Sequence, residues 1–70
     1  MKIEIGTIIR DNGKIGIVTS IMKNGVWKDD TPLKFTKTFE IKYSDGIVAI
    51  LTESSLFRLV KEGKIEIVAE

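Results

Sequence analysis

Apolar and polar residues that alternate with period two, broken at short intervals by glycine-containing dipeptides, govern what this chain can fold into. Residues 14–22, Lys-Ile-Gly-Ile-Val-Thr-Ser-Ile-Met, put Ile15, Ile17, Thr19 and Ile21 on one side of an extended backbone. Successive side chains of a strand point to opposite faces. Phe39-Glu40-Ile41-Lys42-Tyr43 alternates in the same way, with Phe39, Ile41 and Tyr43 as the inward set. Lys2-Ile3-Glu4-Ile5 and Lys64-Ile65-Glu66-Ile67-Val68 repeat the pattern near either end, and Thr7-Ile8-Ile9-Arg10 runs into a turn. Between these runs stand Asn12-Gly13, Asn24-Gly25 and Asp45-Gly46. Such dipeptides supply the positive φ that tight hairpin turns need, so Gly13, Gly25 and Gly46 are expected to adopt it and the strands to follow one another as a meander. Gly16 interrupts a strand, where a bulge or a close backbone approach is expected.

Residues 47–51 form a continuous apolar run, which reads as a strand buried on both faces. Residues 52–62 have the only helical spacing, with Leu56, Leu59 and Val60 on one side, Thr52 or Ser54 as cap, and Gly63 as terminator. At about eleven residues such a segment is marginal by itself, so a short helix or 3₁₀ turn packed on the sheet is expected. Ile17, Ile41, Ile50 and Leu56 are the expected centre of one core.

The chain has 70 residues, which makes 1–70 a single domain near the lower size limit for a self-sufficient core. It has no Cys and no His, so disulfides, thiolate or imidazole metal ligands and Ser/His or Cys/His catalytic sets are excluded. No apolar run approaches the roughly 20 residues of a membrane helix. Glu4 stands where a signal peptide would be apolar, so the expectation is an unprocessed cytoplasmic protein that meets no membrane. A formal charge of +1 supplies no strong field towards a phosphate backbone. The many Ile and Lys residues suit an A/T-rich genome such as that of a phage or some bacteria.

Four meandering strands, a short helical turn and a last strand make an order that resembles the SH3-like barrels, in which the final strand closes beside the first. Gly6-Thr7-Ile8-Ile9-Arg10 followed by Lys14-Ile15-Gly16-Ile17-Val18 is similar to the opening of KOW-type domains. Phe39-Glu40-Ile41-Lys42-Tyr43-Ser44-Asp45-Gly46 is similar to a strand and turn of Tudor-like domains. The small SH3-like subunit of photosystem I has a comparable size and strand plan. The resemblance implies an all-β, five-stranded SH3-like barrel with one short helical or 3₁₀ turn before its last strand. An OB-like barrel is the alternative, but it places a helix between its third and fourth strands, where this chain has only Asp45-Gly46.

Residues 22–38 are the least regular part of the chain, a hairpin extension or a long excursion. They carry Lys23, Lys28, Lys34 and Lys37 against Asp29 and Asp30, with Trp27 and Phe35 interleaved. Aromatics among lysines suit a protein hot spot built on Trp27, or stacking and phosphate pairing with single-stranded nucleic acid. The plainer alternative has Trp27 covering the open end of a small barrel while the lysines are solvated. Asp29-Asp30-Thr31-Pro32 reads as turn chemistry rather than a carboxylate pair or hard-metal site with Glu40 or Asp45. Ser54-Ser55 has no base to activate it. With Phe39 and Tyr43 facing inward, too few aromatics remain for a methyl-lysine cage.

These residues point to a non-enzymatic binding module without cofactor. Its expected contact surface is a rim of Trp27, Lys23, Lys28, Lys34, Phe35, Lys37 and Asp45, built from residues 22–38 and the turns at Asp11-Asn12-Gly13 and Ser44-Asp45-Gly46. A protein partner is the first expectation, which makes the chain an adaptor. A nucleic-acid-associated module of KOW or Tudor-like type is the second, and a structural subunit or homo-oligomer assembled around Trp27 is the third.

Overall fold

The computed structural model describes residues 2–69, and the side chains of residues 24, 26–28 and 31–35 lie outside the described set. Its elements are β1 (Ile8–Asp11), β2 (Lys14–Lys28), β3 (Thr31–Tyr43), β4 (Val48–Thr52), α1 (Glu53–Lys61) and β5 (Ile65–Ala69). They form one antiparallel sheet in the order β4-β3-β2-β1-β5, so the last strand does pair with the first. No ladder joins β4 to β5: the sheet is open, with those two strands as its edges. Among the described residues no helix is long and apolar enough to cross a membrane.

Hairpin chemistry explains two of the three expected turns. Asn12 and Gly13 have φ of 51° and 83°, the left-handed pair of a type I′ turn, and Gly46 has φ of 89°. Asn24-Gly25 is not a turn. Gly25 pairs with Phe35 inside the β2–β3 ladder, and the chain reverses at Asp29 and Asp30, whose φ values are 51° and 62°. Register decides between the two sites. Reversal at Asp29-Asp30 sets Ile21 opposite Phe39 and Val18 opposite Ile41, whereas a turn at Asn24-Gly25 would set Ile21 opposite Lys28. Pairing of the inward residues outweighs the local preference of Asn-Gly.

Ile9, Val18, Phe39, Ile41, Leu56 and Ile65 are the centre of the core, closed by Ile3 and Tyr43. Ile41 and Leu56 are fully buried, as expected. Ile17 and Ile50 are not in the core: they are 41% and 60% exposed. For β2 the cause is a bulge. The ladder steps from Val18↔Ile41 to Ser20↔Glu40, leaving Thr19 as the extra residue. Gly16 and Val18 therefore face inward before the bulge and Ile21 packs inward after it, while Ile15 and Ile17 face out. For β4 the cause is one-sided cover: α1 packs on the inner face, which takes Ala49 and Leu51, so the strand is not buried on both faces as expected, and Val48 and Ile50, with Ile47 just before the strand, meet solvent.

Gly16 is a close approach rather than a bulge. A Cβ there would lie 2.8 Å from Ile41 Cγ2 and 2.9 Å from Tyr43 Cδ1. The first alternating run is also not a strand: residues 2–7 form a turn that inserts Ile3 into the core and leaves Ile5 outside. Buried Thr7 holds that turn, since its Oγ1 accepts from the Glu4 N–H at 2.9 Å. The Gly6 N–H donates to the Val18 carbonyl at 2.8 Å, and the Val18 N–H to the Thr7 carbonyl at 2.9 Å.

Thr52 caps α1, its Oγ1 accepting from the Ser55 N–H at 3.2 Å. At the other end Gly63 (φ 78°) donates to Val60 and Lys64 to Leu59, the paired bonds of a Schellman motif. These caps shorten the helix to nine residues, which Leu56 anchors in the core. The helix contacts β3, β4 and β5 and so covers the inner face alone.

Candidate functional site

Because β1 to β4 form a meander, alternate turns must lie at opposite ends of the sheet. The β1–β2 and β3–β4 turns share one end, and the β2–β3 turn lies at the other. The expected rim is thus split. Asp45 stands beside the first hairpin, where its carboxylate contacts Lys14 Nζ at 2.8 Å and accepts from the Ile47 N–H at 3.1 Å. The hydrogen bond and charge of Lys14 hold the Asp45 carboxyl below its usual range, and Asp45 in turn raises Lys14. In the same brace the Tyr43 hydroxyl donates to Asp11 Oδ2 at 2.8 Å. Burial, and then that bond to a carboxylate, push Tyr43 up to about 12. Asp45 is therefore an internal clamp of the turn end, and lysines 23, 28, 34 and 37 belong to the other end.

At that end β2 and β3 run on as a two-stranded arm. The β3–β4 ladder stops at Thr38↔Thr52 and the β1–β2 ladder at Ile8↔Ile17, so residues 23–37 have no third strand. The molecule is correspondingly elongated, 45 × 24 × 18 Å. Lys23 and Lys37 are directly opposed on the arm, exposed, and without an ion-pair partner among the described residues. The backbones of Trp27, Lys28, Lys34 and Phe35 lie in the same arm, paired as Trp27↔Pro32, Lys28↔Thr31, Val26↔Lys34 and Gly25↔Phe35. Their side chains lie outside the described residues. Asp29 and Asp30 at the arm tip, Glu40 in mid-sheet and Asp45 at the far end do not converge. Among the described residues no three acidic, Cys or His groups form a metal-ligating set.

The surface that sequence reasoning missed is the outer face of the sheet. In register across four strands, Val48, Lys42, Ile17 and Ile8 form one row, and Ile50, Glu40 and Ser20 form the next. Ile15, Ile17, Val48 and Ile50 are exposed there, and a shallow groove of about 360 Å³ runs over Ile8, Ile15, Ile17 and Lys42. Lys42 has no ion-pair partner among the described residues, and its cross-strand neighbours are the aliphatic Ile17 and Val48. Glu40 is oriented by the bulge, where the Thr19 hydroxyl donates to its carboxylate at 2.8 Å. A second depression, of about 420 Å³ between Asn12-Gly13 and Gly63-Lys64, is lined by Arg10 and Glu66, which pair with each other at 3.2 Å.

One signal for the outer face was present in the sequence. Setting Gly16 inward, as its close approach to β3 demands, turns Ile15 and Ile17 outward. Compared with known proteins, the chain matches no family model, no curated protein and no solved structure.

Proposed function

We propose that this chain is a small non-catalytic protein-interaction module of the SH3-like barrel type, with the outer face of its sheet as the contact surface. The strand order supports the architecture: β5 lies beside β1, tight turns join β1 to β4, and the single helix stands between β4 and β5. The contact surface rests on one observation, the exposure of Ile15, Ile17, Val48 and Ile50 on one face, where Lys42 is the one charged member of the row Val48, Lys42, Ile17 and Ile8. Contiguous apolar patches on small monomers mark interaction sites. A photo-crosslinking amino acid at position 17 or 48 tests the reading, with position 61 on α1 as control. Protein adducts in cells from positions 17 and 48, and none from 61, are expected. Equal capture at all three would overturn it.

The opposed Lys23 and Lys37 favour a second reading, a nucleic-acid-associated module that uses the arm. Like charges directly opposite one another destabilise a ribbon unless an anion lies across them. Under this reading a labelled single strand binds at low salt, its affinity falls steeply as salt is added, and Lys23→Ala with Lys37→Ala reduces the salt slope. Binding insensitive to both would remove it.

A further inference from the structure

The outer face is self-complementary. Lys42 and Glu40 occupy alternate positions on β3, both on this face, flanked on β4 by Val48 and Ile50 and on β2 by Ile17 and Ser20, with Ile15 and Met22 beyond these at either end. Consider a two-fold axis between two such faces, running across the strands at the level of Ile41. It sets Lys42 over Glu40 of a second copy and Glu40 over that copy's Lys42. The same operation sets Val48 over Ile50, Ile15 over Met22 and Ile17 over Ser20, each pair occurring twice, as an isologous contact requires. Lys42, which has no ion-pair partner among the described residues, would gain a counter-ion, while Glu40, already held by Thr19, would offer its other carboxylate oxygen.

We infer that the occupant of this face is a second copy of the chain, in a face-to-face antiparallel dimer with reciprocal Lys42–Glu40 pairs. This rests on the outer face being a contact surface, as proposed above. The charge pairs lie next to the β4 edge rather than at the sheet centre, so they fix register and orientation while the aliphatic pairs supply burial. A stable interface takes about 800 Å² from each partner, a large demand on a monomer exposing 4982 Å². The dimer is accordingly expected to dissociate in the range of about 1 to 100 μM.

Sedimentation equilibrium of the full chain, from about 1 μM to about 1 mM, tests this. A concentration-dependent dimer is expected. Lys42→Glu and Glu40→Lys should each weaken it about tenfold or more, and the double exchange should restore it to within about threefold of the parent. Ile50→Asp, at an exposed position outside the core, should leave the circular dichroism spectrum unchanged and give monomer. A chain that stays monomeric throughout overturns the inference, as does a dimer that tolerates both single reversals or one the double exchange fails to rescue. The crosslinking experiment separates the two levels. A monomer whose positions 17 and 48 capture a different protein refutes the dimer and keeps the contact surface, whereas a monomer that captures nothing refutes both.

Discussion

On the inner face of the sheet Ile9, Val18, Phe39 and Ile41 are enclosed by Leu56 of the helix and Ile3 of the N-terminal turn, whereas on the outer face Ile15, Ile17, Val48 and Ile50 meet solvent. Both faces carry β-branched aliphatics, to which the inner one adds Phe39 and Tyr43. What separates them is the one helix, capped at Thr52 and closed at Gly63, which is long enough to cover a single side. The inner face is thus where the fold gets its stability and the outer face where substitution is cheap for the fold.

The largest contrast is between two isoleucines on neighbouring strands. Ile41→Ala should destabilise the fold by about 2–5 kcal/mol, since it removes a fully buried side chain. Ile17→Ala should cost about 0.5 kcal/mol or less, as expected of a surface position. Urea midpoints of the two variants measured at low micromolar concentration read this directly. Equal shifts would mean that the two faces are not energetically distinct.

Gly16→Ala probes how closely the strands approach on the inner side. The added methyl would press on both Ile41 and Tyr43, and overpacking of this kind costs about 1–3 kcal/mol. Gly13→Ala supplies the comparison: its cost comes from φ of 83° alone, because nothing lies within 4 Å of its Cβ position. A Gly16→Ala midpoint equal to the parent's would show that β3 can shift away from β2.

Those two glycines show how far the sequence could be read. Period-two alternation marked strands in residues 14–22, 39–43 and 64–68 and the inward set Phe39, Ile41 and Tyr43, because side-chain parity needs no tertiary information, but the same pattern in residues 2–5 belongs to a turn. Gly63 as terminator and a cap at Thr52 or Ser54, of which the structure uses Thr52, were legible because capping is local. Parity propagated through residues 14–22 failed, because one extra residue at Thr19 reverses the face and no residue type there announces a bulge. The turn at Asp29-Asp30 was hidden behind a better dipeptide, Asn24-Gly25, and only the pairing of Ile21 with Phe39 decides against that. The split of the expected rim follows from topology, which places Asp45 and the lysine-bearing arm at opposite ends. The outer face was not legible once Ile17 and Ile50 had been assigned to the core.

Tyr43 ties the inner face to the turn end, and its titration gives a pH signature. Its folded-state value of about 12 lies above the ordinary phenol value near 10, so the contribution to stability is present below pH ~10 and is lost as pH rises towards 12. Lys14 is also raised, by its hydrogen bond and ion pair with Asp45, so the comparison is made against a variant that keeps that pair. Tyr43→Phe should cost about 1 kcal/mol at pH 7, through loss of the bond to Asp11, and should make the fall in stability above pH ~10 shallower. Thermal melts from pH 7 to about pH 11 would show it. Parallel pH profiles for the two proteins would remove Tyr43 from the account.

The smallest expected effect separates the arm from the body of the sheet. A two-stranded ribbon without a third strand is marginally stable, and here it also carries Lys23 directly opposite Lys37 and reverses through two aspartates with positive φ. Lys37→Glu converts a like-charged cross-strand pair into an opposite-charged one, worth about 0.2–1 kcal/mol. A ribbon held by two strands alone is expected to open before the core does, so the gain should stay local: slower amide exchange at Lys23 and Thr36, with an unchanged global urea midpoint. A global shift would make the arm part of the cooperative unit, and no local change would mean that the two ammonium groups do not repel across the ribbon. The same variant bears on function. If the lysine pair is retained for an anionic ligand despite its cost to the ribbon, Lys37→Glu should stabilise the arm while reducing its affinity for a single strand, and those two readouts move in opposite directions only on that account.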